Sequence, residues 1–220
     1  MSTTTKPVRH SLGNAFNLPN QLTSLRLLLS VVLFWLITSE HYIAAFVLFL
    51  IAVGTDWLDG YYARKFNQIT TLGRILDPFA DKVIVCGTFI FILVAPGMSS
   101  EPYPGPWGLR AWMVVVIVGR ELLVTALRSF LEERGSDFSA NMSGKLKMVL
   151  QCFAAGASLV FLECRNPPNP AVLPREAPAW VYWFTVVSIW SAVVLTVYSG
   201  AVYVWIAYKL LRQKTDAPDA

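Results

Sequence analysis

The sequence predicts an all-α, polytopic membrane protein of six transmembrane helices with both termini cytoplasmic. Three observations predict it. Hydrophobic residues fill 55% of the 220 positions and charged residues only 15%, against about a quarter charged in a typical soluble domain. Apolar runs such as Val31–Ile37, Ile43–Val53, Val83–Ala95 and Val149–Leu162 recur along the chain, and the mean hydropathy is +0.51. The basic residues segregate to alternate connections, as they do in proteins threaded through a bilayer.

The chain divides into residues 1–19, a helical domain over 20–208, and a cytoplasmic tail over 209–220. The first segment is polar and carries Lys6 and Arg9. It has neither the apolar core and cleavage site of a signal peptide nor an Arg-rich transit composition. Within it, Ser11–Leu18 reads as a short interfacial helix. A spanning helix needs about 20 residues, and six segments reach that length: 20–38, 42–63, 75–95, 110–132, 143–162 and 180–208. Two connections are proline-rich. Pro96, Pro102, Pro104 and Pro106 mark one, and Pro167, Pro168, Pro170, Pro174 and Pro178 the other. Proline lacks the donor a helix interior needs, so both are surface loops.

Of the eighteen Lys and Arg residues, only Arg110, Arg165 and Arg175 lie in or beside those loops, and the 39–42 connection has none. Arg64, Lys65, Arg74, Arg128, Arg134, Lys145, Lys147, Lys209, Arg212 and Lys214 belong to the other side, which is therefore cytoplasmic. Trp107, Trp112, Trp180 and Trp183 form the expected outer aromatic belt. The net charge of +4 is modest and explained by topology, so nucleic acid is not an expected partner. Cys86, Cys152 and Cys164 are odd in number and lack metal-ligand spacing.

The second apolar run, Tyr42–Gly54, is too short to cross a ~30 Å core at about 1.5 Å per residue. The helix must continue through Asp56 and Asp59. The third span likewise needs Asp77, Asp81 and Lys82, with Asp77 and Pro78 suiting an N-cap and first helical position. Four of the fourteen acidic residues thus fall within membrane depth, where carboxylates are costly and mark function. Asp56, Asp59, Gly60 and Ala63 share one helical face at i, i+3, i+4 and i+7, and Asp77 and Asp81 share another at i, i+4. Two such faces repel unless cations lie between them. Hard oxygen ligands favour Mg²⁺ or Mn²⁺, two per site in a clamp suited to phosphoryl chemistry. Gly60 and Ala63 leave room for a ligand, and Arg64 can fork a phosphate.

The string Asp56-x2-Asp59-Gly60-x2-Ala63-Arg64-x8-Gly73-x3-Asp77-x3-Asp81 resembles the signature of the CDP-alcohol phosphotransferases at every position, eight residues over twenty-six. The resemblance implies a six-helix membrane enzyme, usually a homodimer, that moves a phosphatidyl or similar group from a CDP-linked donor to an alcohol. It implies that Asp56, Asp59, Asp77 and Asp81 hold two divalent metals, with Asp81 also the base. Asp56, Gly60, Ala63, Arg64 and Gly73 then belong to the CDP pocket. The competing reading of intramembrane acids is the ion pathway of a cation-coupled transporter; a complete motif disfavours it.

Asn17-Leu18-Pro19-Asn20-x-Leu22-Thr23-x2-Arg26, Arg120-Glu121-x6-Arg128 and Gly144-Lys145-x-Lys147 with Gln151 resemble the bacterial branch of the family that uses glycerol 3-phosphate. One departure is Met148, where a small polar residue is expected. This branch implies CDP-diacylglycerol as donor and the cytoplasmic (inner) membrane of a bacterium, with the site facing the cytoplasm. Independently of the resemblance, Arg120, Arg128 and Lys145 are basic groups suited to the phosphate of such an acceptor. Asn20, Thr23, Arg26 and Lys147 are further candidates. Other acceptors of the family (inositol phosphate, serine, phosphatidylglycerol) remain the alternative. Arg120 and Glu121 also read as a buried structural pair, and of Lys145 and Lys147, two positions apart, only one can face the pocket.

Overall fold

The computed structural model describes residues 18–66, 71–96, 98, 107–133, 142–166 and 177–215. Among them are six α-helices: α1 (Leu18–Thr38), α2 (Tyr42–Phe66), α3 (Thr71–Val94), α4 (Ala111–Glu133), α5 (Met142–Arg165) and α6 (Ala179–Thr215). Each corresponds to one apolar segment of the sequence. Residues 1–17, with the expected interfacial helix, lie outside the described residues.

By length and composition, two of the helices are apolar enough to cross a membrane among the described residues, over Leu146–Arg165 and Ala179–Leu210. Shorter apolar stretches fill Ser24–Thr38, Tyr42–Thr55 and Lys82–Val94. Polarity is turned inside out. Leu28, Val31, Trp35, Val94 and Val115 stand on the outer surface, while Ser30, Thr88, Gln151, Ser158, Thr196 and Ser199 are buried. Such a surface suits hydrocarbon, because in lipid the polar groups must find partners within the bundle.

Helices α1 and α2 are joined by three residues. Glu40 adopts a left-handed conformation (φ 60°). The N–H of His41 donates to the Leu36 carbonyl and that of Glu40 to the Ile37 carbonyl, a C-terminal cap in which glycine is the usual occupant. At the same end of the bundle, the N–H of Ile43 donates to Glu163 Oε2 (3.2 Å), Asn166 Nδ2 to the Pro96 carbonyl (2.6 Å), and Trp190 Nε1 to the Trp107 carbonyl (2.9 Å). These bonds satisfy backbone groups at the start of α2 and in the segments beside α3 and α4. Helix α5 is central, touching α2, α3 and α6, and α3 also packs on α1 and α4.

Two expectations are corrected. Helix α3 starts at Thr71 rather than near residue 75, so Asp77 is no N-cap and Pro78 is no first-turn residue. Pro78 instead lies inside the helix, where it cannot donate to the carbonyl of Arg74 four residues earlier. The last helix runs on to Thr215, seven residues past the end expected for the final span.

Candidate active site

Helix α2 continues without a break through Asp56 and Asp59, and α3 contains Asp77 and Asp81. Since both are helical there, the spacings i, i+3 and i, i+4 put each pair on one face. The two helices touch, and only residues 67–70 separate the end of one from the start of the other. The side chains of Asp56, Asp59, Ala63, Arg64, Asp77 and Asp81 lie outside the described residues, as do the surroundings of Gly60 and Gly73 and the side chains of Asn20, Thr23 and Lys145. What the structure supplies is their helical placement, at one end of the bundle. The donor set fits a hard divalent cation: four carboxylates, paired by register on two uninterrupted, touching helices. Among the described residues no group of three or more His, Cys, Asp or Glu comes together.

The basic candidates are more fully described. Arg26 is buried on the inner face of α1. Arg120 projects between α4 and α6. Its Nη2 donates to Ser199 Oγ at 2.5 Å, its Nη1 meets Glu121 Oε1 at 3.3 Å, and its guanidinium lies 5.3 Å from the centre of the Tyr203 ring. Gly200 permits this approach: a Cβ there would come within 3.1 Å of Arg120 Cγ. The pair foreseen for Arg120 and Glu121 is therefore real, and it reaches two neighbouring helices.

Lys147 answers which lysine of α5 turns inward. It is 5% exposed, and its ammonium donates to Glu121 Oε1. Positions two apart on a helix point about 200° around the axis from each other, so the direction of Lys147 is set by the face it shares with Gln151, Ala154, Ala155 and Ser158, all buried. Gln151 Nε2 donates to Thr196 Oγ1 at 3.2 Å. Arg128, two turns along α4 from Arg120, has a buried Nε without a hydrogen-bond partner among the described residues. Arg26 Nε and Arg120 Nε are buried in the same way.

Sequence reasoning missed Thr196, Ser199 and Tyr203, treating α6 as a plain hydrophobic span. The signal was present as Thr185, Ser188, Ala192, Thr196, Ser199 and Tyr203, a buried stripe of small and polar residues recurring every three or four positions.

An apolar cavity of about 600 Å³ opens between α2, α5 and α6. Phe46, Leu50 and Val53 line it on α2, Met148 and Gly156 on α5, and Phe184 on α6. Val53 is one turn ahead of Asp56 and Met148 adjoins Lys147, so the groove ends at the level of the acidic and basic residues. Met148, which broke the expected pattern, is part of this apolar wall.

Residues 16–198 match the family described as CDP-alcohol phosphatidyltransferase. The chain is similar to the CDP-diacylglycerol–glycerol-3-phosphate 3-phosphatidyltransferase of Bacillus subtilis (strain 168), at 36% identity over 203 residues, 86% of this chain and 93% of that protein. The protein of the same name from Escherichia coli (strain K12) is 33% identical over 193 residues, again 86% and 93%. One from Pseudomonas fluorescens is 39% identical over 122 residues, 54% of this chain and 58% of that protein. With both acid pairs and the basic positions of α4 and α5 inside the matched span, the chain belongs to the CDP-alcohol phosphatidyltransferase family.

Proposed function

We propose that the protein transfers the phosphatidyl group of CDP-diacylglycerol to glycerol 3-phosphate, releasing CMP and forming phosphatidylglycerophosphate. The observation that carries this reading is the buried basic cluster of α4 and α5 at the acid-bearing end of a family bundle. A donor with a pyrophosphate calls for the acidic, metal-holding face; an acceptor with its own phosphate calls for cations beyond it. The names of the similar bacterial proteins agree with this pair of substrates.

All six helices cross the bilayer in this reading, with both termini and the acid-bearing end on the cytoplasmic side. The apolar outer surface and the segregation of Lys and Arg support that arrangement. The domain comprises residues 20–208, flanked by cytoplasmic segments, and the protein works as a homodimer in a bacterial inner membrane. Asp56, Asp59, Asp77 and Asp81 hold two divalent cations, Mg²⁺ or Mn²⁺, which when bound neutralise the pyrophosphate and polarise the reacting phosphorus.

Asp56, Gly60, Ala63, Arg64 and Gly73 hold the CDP moiety, with the small residues admitting it against the backbone. The apolar groove running from Val53 and Met148 takes an acyl chain of the donor. Arg128 and Lys147 receive the phosphate of glycerol 3-phosphate, Lys145 meeting headgroups from the other side of α5, with Arg120 behind them and Asn20, Thr23 and Arg26 closing the site from α1. The 1-hydroxyl oxygen attacks the phosphorus that bears diacylglycerol, its proton passing to Asp81. The bond from that phosphorus to the CMP oxygen breaks, and CMP departs with the electron pair, met by Arg64.

The test is CMP release by purified protein in detergent. Release from CDP-diacylglycerol should require both glycerol 3-phosphate and a divalent cation. Equal release with inositol phosphate, serine or phosphatidylglycerol in place of glycerol 3-phosphate would assign another acceptor.

A further inference from the structure

Four charged side chains converge where α3, α4 and α5 meet. Glu121 accepts from Lys147 and from Arg120 through the same oxygen, Oε1. Lys82 of α3 is an electrostatic neighbour of that carboxylate. Cys86, five residues beyond Asp81, lies in the field of Glu121, Lys147 and Lys82. The side chains of Arg120, Glu121 and Lys147 are 9%, 13% and 6% exposed. Among the described residues, Arg120 and Lys147 thus share a single carboxylate oxygen inside the bundle.

The three partners of this carboxylate are not equivalent. The guanidinium of Arg120 is committed on one side to Glu121, on the other to Ser199, and by its face to Tyr203. Both of its terminal nitrogens are engaged by α4 and α6, while its buried Nε has no hydrogen-bond partner among the described residues. The ammonium of Lys147 has three donors, and Glu121 takes one. Lys147 also stands beside Met148, at the end of the groove that reaches Val53. It is thus the cation best placed to meet an anionic substrate, while Arg120 is placed to hold Glu121. The clamp reaches beyond the family match, which ends at residue 198, one position before Ser199.

We propose that Glu121 is a positioning residue for the anionic acceptor: it holds the Lys147 ammonium turned into the bundle, and Arg120, clamped to Ser199 of α6, holds Glu121. This rests on the acceptor carrying a phosphate, as proposed above. A salt bridge of this kind does not contact substrate. It fixes one donor of Lys147 so that the remaining two point at the incoming phosphate, lowering the ordering cost of binding.

The experiment is a double-mutant cycle on purified protein, reading CMP release against each substrate in turn and the detergent melting temperature. Lys147→Met and Glu121→Leu should each raise the KM for glycerol 3-phosphate about tenfold or more, the loss of a charge-assisted bond. Both should leave the KM for CDP-diacylglycerol within about threefold. The double variant should be no worse than Lys147→Met alone, because Glu121 acts only through Lys147. Glu121→Gln keeps an acceptor oxygen for the ammonium and should stay within about threefold of the parent. Fully additive losses, or an equal rise in KM for both substrates, would overturn the proposal.

If Glu121→Leu does not fold, the same cycle runs with Ser199→Ala, which removes the rear clamp. A rise in acceptor KM that vanishes in the Lys147→Met background supports the proposal, and an undiminished rise overturns it. A parent protein that releases no CMP with glycerol 3-phosphate would instead refute the acceptor assignment.

Discussion

Gly87 of α3 lies so close to Phe34 of α1 that a Cβ at this position would overlap the phenyl ring. Phe34 cannot swing aside at little cost, because its ring is stacked on Phe91 with centroids 4.7 Å apart and planes 4° from parallel. The glycine is therefore a packing residue that sets the spacing of α1 and α3. Gly87→Ala should destabilise the detergent-solubilised protein by about 1–3 kcal/mol, the usual cost of overpacking. Thermal unfolding measures it, and an unchanged melting temperature would show that the helices separate freely.

The four carboxylates should behave as a unit. Asp56→Asn, Asp59→Asn, Asp77→Asn and Asp81→Asn should each lower the rate of CMP release at least about 10²-fold, since each removes charge compensation for a cation. Chelation should abolish activity and added Mg²⁺ or Mn²⁺ restore it. Near-normal rates in two folded variants of the four would refute a two-cation site. The losses need not add, because ligands of one cluster are coupled.

Gly60 tests the donor pocket. Gly60→Leu should raise the KM for CDP-diacylglycerol about tenfold or more by filling the cleft against α2, with the melting temperature maintained. An unaltered KM with a lowered melting temperature would make Gly60 a packing residue like Gly87.

Arg128 offers a buried donor that the described residues leave unsatisfied. Arg128→Gln removes its charge and most of its donors, and should raise the KM for glycerol 3-phosphate roughly ten- to a hundredfold. The cation requirement and the KM for CDP-diacylglycerol should stay close to normal. Steady-state CMP release with each substrate varied separately makes the distinction.

The apolar groove predicts a chain-length effect. Ala157→Phe on α5 would fill part of its volume of about 600 Å³. Use of long-chain CDP-diacylglycerol should fall several-fold, about what one lost apolar subsite costs, while a short-chain donor is used as before. Equal loss with both donors would move the acyl chain elsewhere.

Much of this molecule is written in local pattern. Six apolar segments became six helices, and the need of Tyr42–Gly54 for more length correctly carried α2 through Asp56 and Asp59. Boundaries were less legible. Pro78 invited an N-cap at Asp77 because proline favours the first turn, yet the helix begins at Thr71 and leaves the Arg74 carbonyl without its usual donor. The choice between Lys145 and Lys147 is a matter of rotation, and rotation is set by which face α5 offers its neighbours. Ser199 and Tyr203 escaped notice because their role is to meet Arg120 across 79 and 83 positions. The spacing along α6 marks them as one buried stripe, but it does not reveal which residue of α4 they meet.

Helix α6 has a consequence for how high the protein rides in its membrane. Its apolar stretch, Ala179–Leu210, has 32 residues, about 48 Å at 1.5 Å per residue. Even at a steep tilt of about 40° it rises some 37 Å, more than the ~30 Å of hydrocarbon. At least one turn must stand among the headgroups. The residues at its far end suit that layer: Trp205 and Tyr208 are largely exposed, and the Lys209 ammonium sits 5.6 Å from the centre of the Trp205 ring. Such a collar resists bobbing in either direction. With the bundle held at a constant height, the proposed site would meet a phosphorus atom fixed to a lipid of set length at the same depth on every turnover.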